Sequence, residues 1–213
     1  KLIPGKPIPA ELGVENLENL RAGSSNLAAH IRNIRGFGLP VVVCVNSFPT
    51  DSPAELQCML DLAKEYGAVD AAVSQGFALG GGAGTTELAT KVKAVADSGK
   101  AEFKPLYTPE MSLVDKINAV AKNVYGADGV RFEGGSKSKL ARFEKWGFGG
   151  LPICFAKTQY SLSHDPSKLG APSGFTVQVV NAELASGAGF IRVFCGEIMT
   201  MPGLPAAPAA YRI

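Results

Sequence analysis

The sequence predicts an α/β fold, with a parallel sheet and flanking helices in the first half and a smaller α+β part with mixed strands after it. Three observations carry that expectation. Residues 39–46 are a short, β-branched, continuously apolar run of the kind that fills a buried strand, and residues 69–74 read as a second buried strand. A stretch of helical periodicity follows each of them, the alternation of strand–helix–strand units in a parallel sheet. From Phe103 the order changes to two helical stretches and then three strand-like runs. The two parts divide as residues 1–100 and 101–213, with no true linker between them.

Taken in order, residues 1–9 are proline-rich and read as an extended arm. Leu17, Leu20, Leu27, Ile31 and Ile34 recur at helical spacing, so residues 15–35 read as one helix stopped by Gly36. Val41-Val42-Val43-Cys44-Val45 reads as a strand buried on both faces. Ser52-Pro53-Ala54-Glu55 writes the next helix start, with a capping serine, proline at the first helical position and glutamate three residues after the cap. Gly67 ends that helix, and residues 69–74 form the second buried strand. Residues 76–84 read as a glycine-rich loop and 86–97 as a helix. Further helices are expected over 112–125 and 137–146, each closed by glycine. Strands are expected over 153–157, 175–180 and 190–195, the last two joined by Ser186-Gly187-Ala188-Gly189. The prolines of 201–208 exclude a regular helix or central strand there.

Composition narrows the function. With 46% hydrophobic and 19% charged residues in 213, the chain can bury a core and is not disordered. A formal net charge of +2 offers no broad platform for nucleic acid or a membrane surface. No apolar run approaches the ~18 residues of a membrane span. No signal peptide is visible, although the chain starts at Lys1. Cys44, Cys58, Cys154 and Cys195 sit in or beside apolar runs and read as buried, reduced thiols. With no CxxC, no HxxxH and two histidines, no zinc site is expected.

In parallel sheets ligands gather beyond the carboxyl ends of the strands, which here means 46–51 and 75–84. Asn46 can read a purine edge or simply cap a strand end, and Phe48 can stack on a ring or fill a gap. Gly80-Gly81-Gly82-Ala83-Gly84 can bring backbone N–H groups to an anion or serve as a plain loop. Gly129-Val130-Arg131-Phe132-Glu133-Gly134-Gly135-Ser136 nearly spells a phosphate loop. Glycine replaces the essential lysine and no apolar strand is legible before it, so the match reads as false. Lys157-Thr158-Gln159 open a polar loop that can hold an anionic ligand or only itself. The adjacent Ser163, His164 and Asp165 cannot make a hydrolytic triad. A dinucleotide oxidoreductase lacks its GxGxxG.

Several long words, in order along nearly the whole chain, resemble formate–tetrahydrofolate ligase. They include Pro40 to Asp51, Phe103-Lys104-Pro105-Leu106-Tyr107, Tyr125-Gly126-Ala127-Asp128, Leu151 to Ser163, and Ile198 to Pro205. The resemblance implies ATP-dependent activation of formate as formyl phosphate, then attack by N10 of tetrahydrofolate to give 10-formyltetrahydrofolate. It implies ATP with Mg as counter-ion, tetrahydrofolate as substrate, and no catalytic residue that can be named in this stretch. By the same resemblance Phe48 stacks on one pterin face and Phe77, where the family often carries tryptophan, on the other. Val73 lines that pocket and Asn46 approaches adenine. Lys157, Thr158 and Gln159 match a family-wide word without a defined role. Two positions depart from the pattern: Gly82 or Ala83 stands where the family often has a carboxylate, and Ser47 where it has a basic residue. The family is much longer, with its phosphate loop in an N-terminal portion, so the chain reads as the C-terminal portion. It is expected to be inactive alone, and part of a homo-oligomer in the full protein. The compartment expected is the cytoplasm, with a mitochondrial address as the other option. The competing reading is a non-catalytic folate-binding or assembly module.

Overall fold

The computed structural model describes residues 9–198 together with Ala207 and Tyr211. The expected arm over 1–9, apart from Pro9, and most of the proline-rich 201–208 lie outside the described residues. The architecture is mixed α/β, and the chain divides into two compact units, Lys1–Pro105 and Leu106–Ile213. No helix among the described residues is long and apolar enough to cross a membrane.

In the first unit, β1 (Val42–Asn46) and β2 (Asp70–Ser74) form a two-stranded parallel sheet in the register Val42↔Asp70 to Asn46↔Ser74. They are joined by α3 (Pro53–Glu65), whose start is fixed as its sequence demands. Ser52 Oγ accepts from the Glu55 N–H at 3.1 Å and Glu55 returns a carboxylate oxygen to the Ser52 N–H at 3.3 Å. One face of the sheet packs Val41, Val43 and Ala71 against Ile31 and Ala63 of the helices. The other face carries α4 (Gly76–Asp97), which lies chiefly on β2. Lys91 of α4 reaches down to Asp70 at 3.2 Å and to the Ala71 carbonyl at 2.6 Å.

Three expectations fail here for physical reasons. The single helix over 15–35 is two, α1 (Leu17–Gly23) and α2 (Ser25–Gly36). At the break the Ser24 hydroxyl takes the Arg21 carbonyl at 2.7 Å and meets the Tyr66 hydroxyl at 2.6 Å, diverting a helix bond to a tertiary partner. The glycine-rich stretch is mostly helical, broken only by Gly80 at φ 74°, ψ 175°. The Thr85 and Thr86 hydroxyls bond back to the Gly81 and Gly82 carbonyls. Finally, β1 is covered less completely on its α4 face than β2 is. Ala72 is fully buried beneath α4, while its register partner Cys44 is exposed.

The second unit holds a four-stranded sheet in the order β3–β5–β6–β4. β3 (Gly129–Phe132) runs parallel to β5 (Thr176–Ala185), β5 antiparallel to β6 (Phe190–Cys195), and β6 parallel to β4 (Ile153–Lys157). β5 is longer than expected because its two ends pair with different neighbours that overlap at Val179. Residues 176–179 pair with β3, and pairing with β6 runs from Val179 to Ala185 across an irregularity between Val179 and Asn181, so that Val179 is paired on both sides. β3, not expected from the sequence, forms the first four residues of the phosphate-loop look-alike rather than a strand before it. It has only four residues, and Arg131 and Gly129 hide its pattern. The helices α5 (Leu113–Asn123) and α6 (Ser136–Lys145) pack Leu113, Ile117, Leu140 and Phe143 against Val177, Val179, Ile191 and Val193.

All four cysteines are free, but only Cys58 and Cys195 are buried; Cys44 and Cys154 are exposed, against expectation, because each points from a strand face that no helix covers fully. Burial pushes the Cys195 thiol from 9.0 up to about 12. Above pH 9 the unfolded chain therefore releases a proton that the folded chain keeps, and stability falls as pH rises toward 12. Urea denaturation at pH 8 to 10.5 is expected to show a steeper alkaline loss in the native sequence than in Cys195→Ala. The difference approaches about 1.4 kcal/mol per pH unit. Equal slopes would refute the assignment.

Candidate functional site

The parallel pairing of β1 and β2 brings both sequence-singled loops to one end of the sheet. Beyond the last register pair, the Ser47 N–H and hydroxyl both reach the Ser74 carbonyl, at 3.0 and 3.2 Å, and tie the two strand ends together. Asn46 ends β1 and is exposed; Val73, half-buried, precedes the last residue of β2.

Phe48 stands in a turn closed twice. Its N–H donates to the Asp51 carboxylate at 2.8 Å, and the Asp51 N–H donates to the Phe48 carbonyl at 3.0 Å. The ring is 62% exposed. Phe77 lies in the short helical turn after β2, where the Ala78 and Leu79 N–H groups bond the Gln75 carbonyl at 3.0 and 2.9 Å. Its side chain is 99% exposed. Gly80 then reverses the chain, and the Gln75 N–H donates to the Gly84 carbonyl at 2.9 Å. Two phenyl rings thus leave neighbouring strand ends with little protein around them, one on a turn and one on a backbone loop.

Gly84 is the closure of that loop. A methyl group there would stand 2.5 Å from the Gln75 oxygen and 2.7 Å from the Gly76 nitrogen, both backbone. In an open helix Gly→Ala gains ~1 kcal/mol, whereas overpacking against backbone costs about 1–3 kcal/mol. Gly84→Ala is therefore expected to destabilise. Gly82→Ala, with nothing within 4 Å of the added carbon, is expected to stabilise. Thermal melts of the two variants moving in the same direction would contradict this reading of the loop. Asp51 and Gly84 were not picked out from the sequence as site residues. A turn-closing aspartate after Phe-Pro-Thr was the legible signal for the first; the second needed the fold.

The Lys157, Thr158 and Gln159 loop lies in the other unit. The Lys157 ammonium donates to the Thr158 carbonyl at 2.7 Å and to the Ser161 carbonyl, and sits 5.0 Å from the centre of the Tyr125 ring. Burial holds its pKa below the ordinary lysine value, with Cys195 opposing weakly. Thr158 is buried and its hydroxyl accepts from the Tyr160 N–H at 3.3 Å; Gln159 is exposed. Ser163 exchanges hydrogen bonds with the Asp165 backbone, both at 3.0 Å, instead of reaching a histidine. Among the described residues no group of three His, Cys, Asp or Glu side chains converges as a metal site.

A family model described as formate–tetrahydrofolate ligase matches residues 3–213. The chain belongs to the formate–tetrahydrofolate ligase family. It is 50% identical over 203 residues to the formate–tetrahydrofolate ligase of Allorhizobium ampelinum, covering 95% of this chain and 36% of that protein. The likeness to the Ruegeria pomeroyi ligase is 47% over 203 residues, with the same coverage. The mitochondrial C-1-tetrahydrofolate synthase of Schizosaccharomyces pombe is 48% identical over 214 residues, covering the whole of this chain and 22% of that protein. The chain thus spans about a third or less of the length of the curated ligases and synthase it matches.

Proposed function

We propose that this chain supplies the tetrahydrofolate pocket, and part of the nucleotide site, of an ATP-dependent formate ligase. The observation that carries the reading is Phe77. Leaving a whole phenyl ring in water gives up the roughly 1.5–3 kcal/mol that burying it would contribute, and the surrounding backbone holds it there. A flat heterocycle slid over such a ring recovers that free energy.

In this reading Phe48 and Phe77 bracket the pterin, Val73 lines the space between the strand ends, and Asn46 offers its amide to the adenine edge. Formate is a poor acyl donor because its leaving group would be oxide. A formate oxygen attacks the γ-phosphorus of ATP, releasing ADP and forming formyl phosphate. N10 of tetrahydrofolate then attacks the formyl carbon, and the carbon–oxygen bond to phosphate breaks. The apolar rings contribute orientation of the amine and exclusion of water from the mixed anhydride. Mg would arrive with ATP, and no described residue is assigned to it. Phosphate-binding and formate-activating groups are assigned to the polypeptide outside these residues. Lys157, with its ammonium taken up by its own loop, enters as a shaper of that loop, with Gln159 left as its outward-facing polar group.

The second reading is a folate-binding module without turnover, in which the exposed Phe48 and Phe77 serve binding alone. The test is titration of the purified protein with tetrahydrofolate and with ATP, with ligase turnover measured in the full-length protein. Folate binding plus turnover supports the ligase; folate binding without turnover in the full-length protein supports the module. No folate binding in either form removes both.

A further inference from the structure

The Phe48 ring hangs from a short span between two fixed points. On the β1 side Ser47 is tied to β2, its N–H and hydroxyl both on the Ser74 carbonyl at 3.0 and 3.2 Å. On the α3 side Ser52 is held by the capping box. The Glu55 carboxylate that takes the Ser52 N–H at 3.3 Å also takes the Asn16 N–H at 3.2 Å, so the start of α3 is tied to the cap of α1 as well.

Between these anchors Phe48, Pro49 and Thr50 are exposed. Pro49 locks its own φ and offers no N–H. The ring takes its direction from the Phe48 main chain, and the side chain bonded to that main chain is Asp51. The Phe48 N–H donates to the Asp51 carboxylate at 2.8 Å, and the Asp51 N–H donates back to the Phe48 carbonyl at 3.0 Å. The first of these bonds lies at the exposed surface and covers no apolar core. A carboxylate placed before the cap of α3 for its charge alone has no need to reach back to the Phe48 N–H.

We infer that Asp51 is a positioning residue: its carboxylate, closed onto the Phe48 N–H, holds the phenyl ring in the orientation that receives the pterin, an inference resting on the reading that Phe48 stacks on tetrahydrofolate. In this role Asp51 touches no substrate and acts through Phe48. The ionised acceptor makes the bond stronger than a neutral one. Without it the turn samples other directions for the ring, and affinity falls with the fraction of molecules whose ring is correctly placed.

The test uses the full-length ligase carrying these residues. Asp51→Ala, and independently Asp51→Leu, which keeps the shape and loses the acceptor, are expected to raise the Kd for tetrahydrofolate roughly three- to tenfold. Asp51→Asn keeps an acceptor without the charge and is expected to recover most of that loss. A charge acting only on α3 predicts Asn as damaging as Ala, and that outcome overturns the inference. In a Phe48→Ala background, Asp51→Ala is expected to weaken binding no further, because no ring is left to place. An undiminished loss there overturns the inference. In turnover, KM for tetrahydrofolate is expected to rise while KM for ATP stays constant. Asn46 ends the same strand, so a rise in both would show a collapsed strand end and also overturns the inference. Phe48→Ala alone keeps the two ideas apart. If it weakens tetrahydrofolate binding while Asp51→Ala and Asp51→Leu bind like the native protein, positioning fails and the pocket stands. If it leaves Kd unchanged, the stacking role of Phe48 fails and positioning falls with it.

Discussion

Lys116→Met is expected to destabilise the second unit by about 3–5 kcal/mol, comparable to breaking a buried ion pair and a large part of the ~5–15 kcal/mol that holds an ordinary domain together. Lys116 is fully buried on α5, and its ammonium donates to the carbonyls of Pro109 at 2.9 Å, Gly149 at 2.6 Å and Leu151 at 3.3 Å. One cation thereby fixes two irregular segments, 107–109 and 149–151, whose carbonyls have turned inward. The Tyr107 ring lies 5.8 Å from the same ammonium, and its hydroxyl accepts from the Ile153 N–H at 3.1 Å, extending the clamp to the start of β4. Desolvation holds the Lys116 pKa below the ordinary lysine value, with Glu110 and Glu144 opposing. Methionine replaces the aliphatic stem but donates nothing. Each abandoned, part-buried carbonyl then costs up to about 1–3 kcal/mol, less whatever water recovers. The chain's one tryptophan, Trp146, lies in this unit, so its fluorescence follows the unfolding directly. A loss below about 1 kcal/mol in urea titrations would show that the three contacts are not a structural clamp.

That lysine marks where sequence reasoning stops. In α5 the buried stripe is Leu113, Lys116, Ile117 and Ala121. A cation in a core position of an otherwise apolar stripe is a legible anomaly, but its acceptors come from 33 and 35 residues further on as well as from 7 before. The β1–α3–β2 unit was readable because every determinant is local: the capping box, Pro53, Gly67 and two short strand runs. The break at Ser24 was not, because the Tyr66 hydroxyl that favours it is 42 residues away. β3 was hidden for a related reason. Four residues with arginine at the third become a strand only because Thr176 to Val179 lies alongside. In the candidate site, residue types alone left Phe48 divided between stacking and gap-filling, and the resemblance assigned both rings. What the fold adds is their exposure, their common end of the sheet, and the backbone closures through Asp51 and Gly84 that hold their loops.

Those closures make the second large effect sharp. Phe77→Ala is expected to weaken tetrahydrofolate binding by about 1–3 kcal/mol, the range of aromatic stacking contacts, which is roughly 5- to 150-fold in Kd. The same change should leave folding stability within about 0.5 kcal/mol, because a ring 99% exposed contributes almost no burial. That pairing of outcomes distinguishes a ligand platform from a structural residue, whose loss would move both. Phe77→Trp offers a larger face and is expected to tighten binding. Phe48→Ala, removing a ring only 62% exposed, should cost some stability as well as affinity. If both rings hold one heterocycle, the double alanine variant will lose less than the sum of the singles, since removal of one ring frees the pterin to shift from the other. Strict additivity would place the rings on different ligands or on none, and an unchanged Kd in Phe77→Ala would remove the pterin assignment itself. The exposure of that ring would then call for another partner, at a strand end where the backbone has already been closed to hold it out.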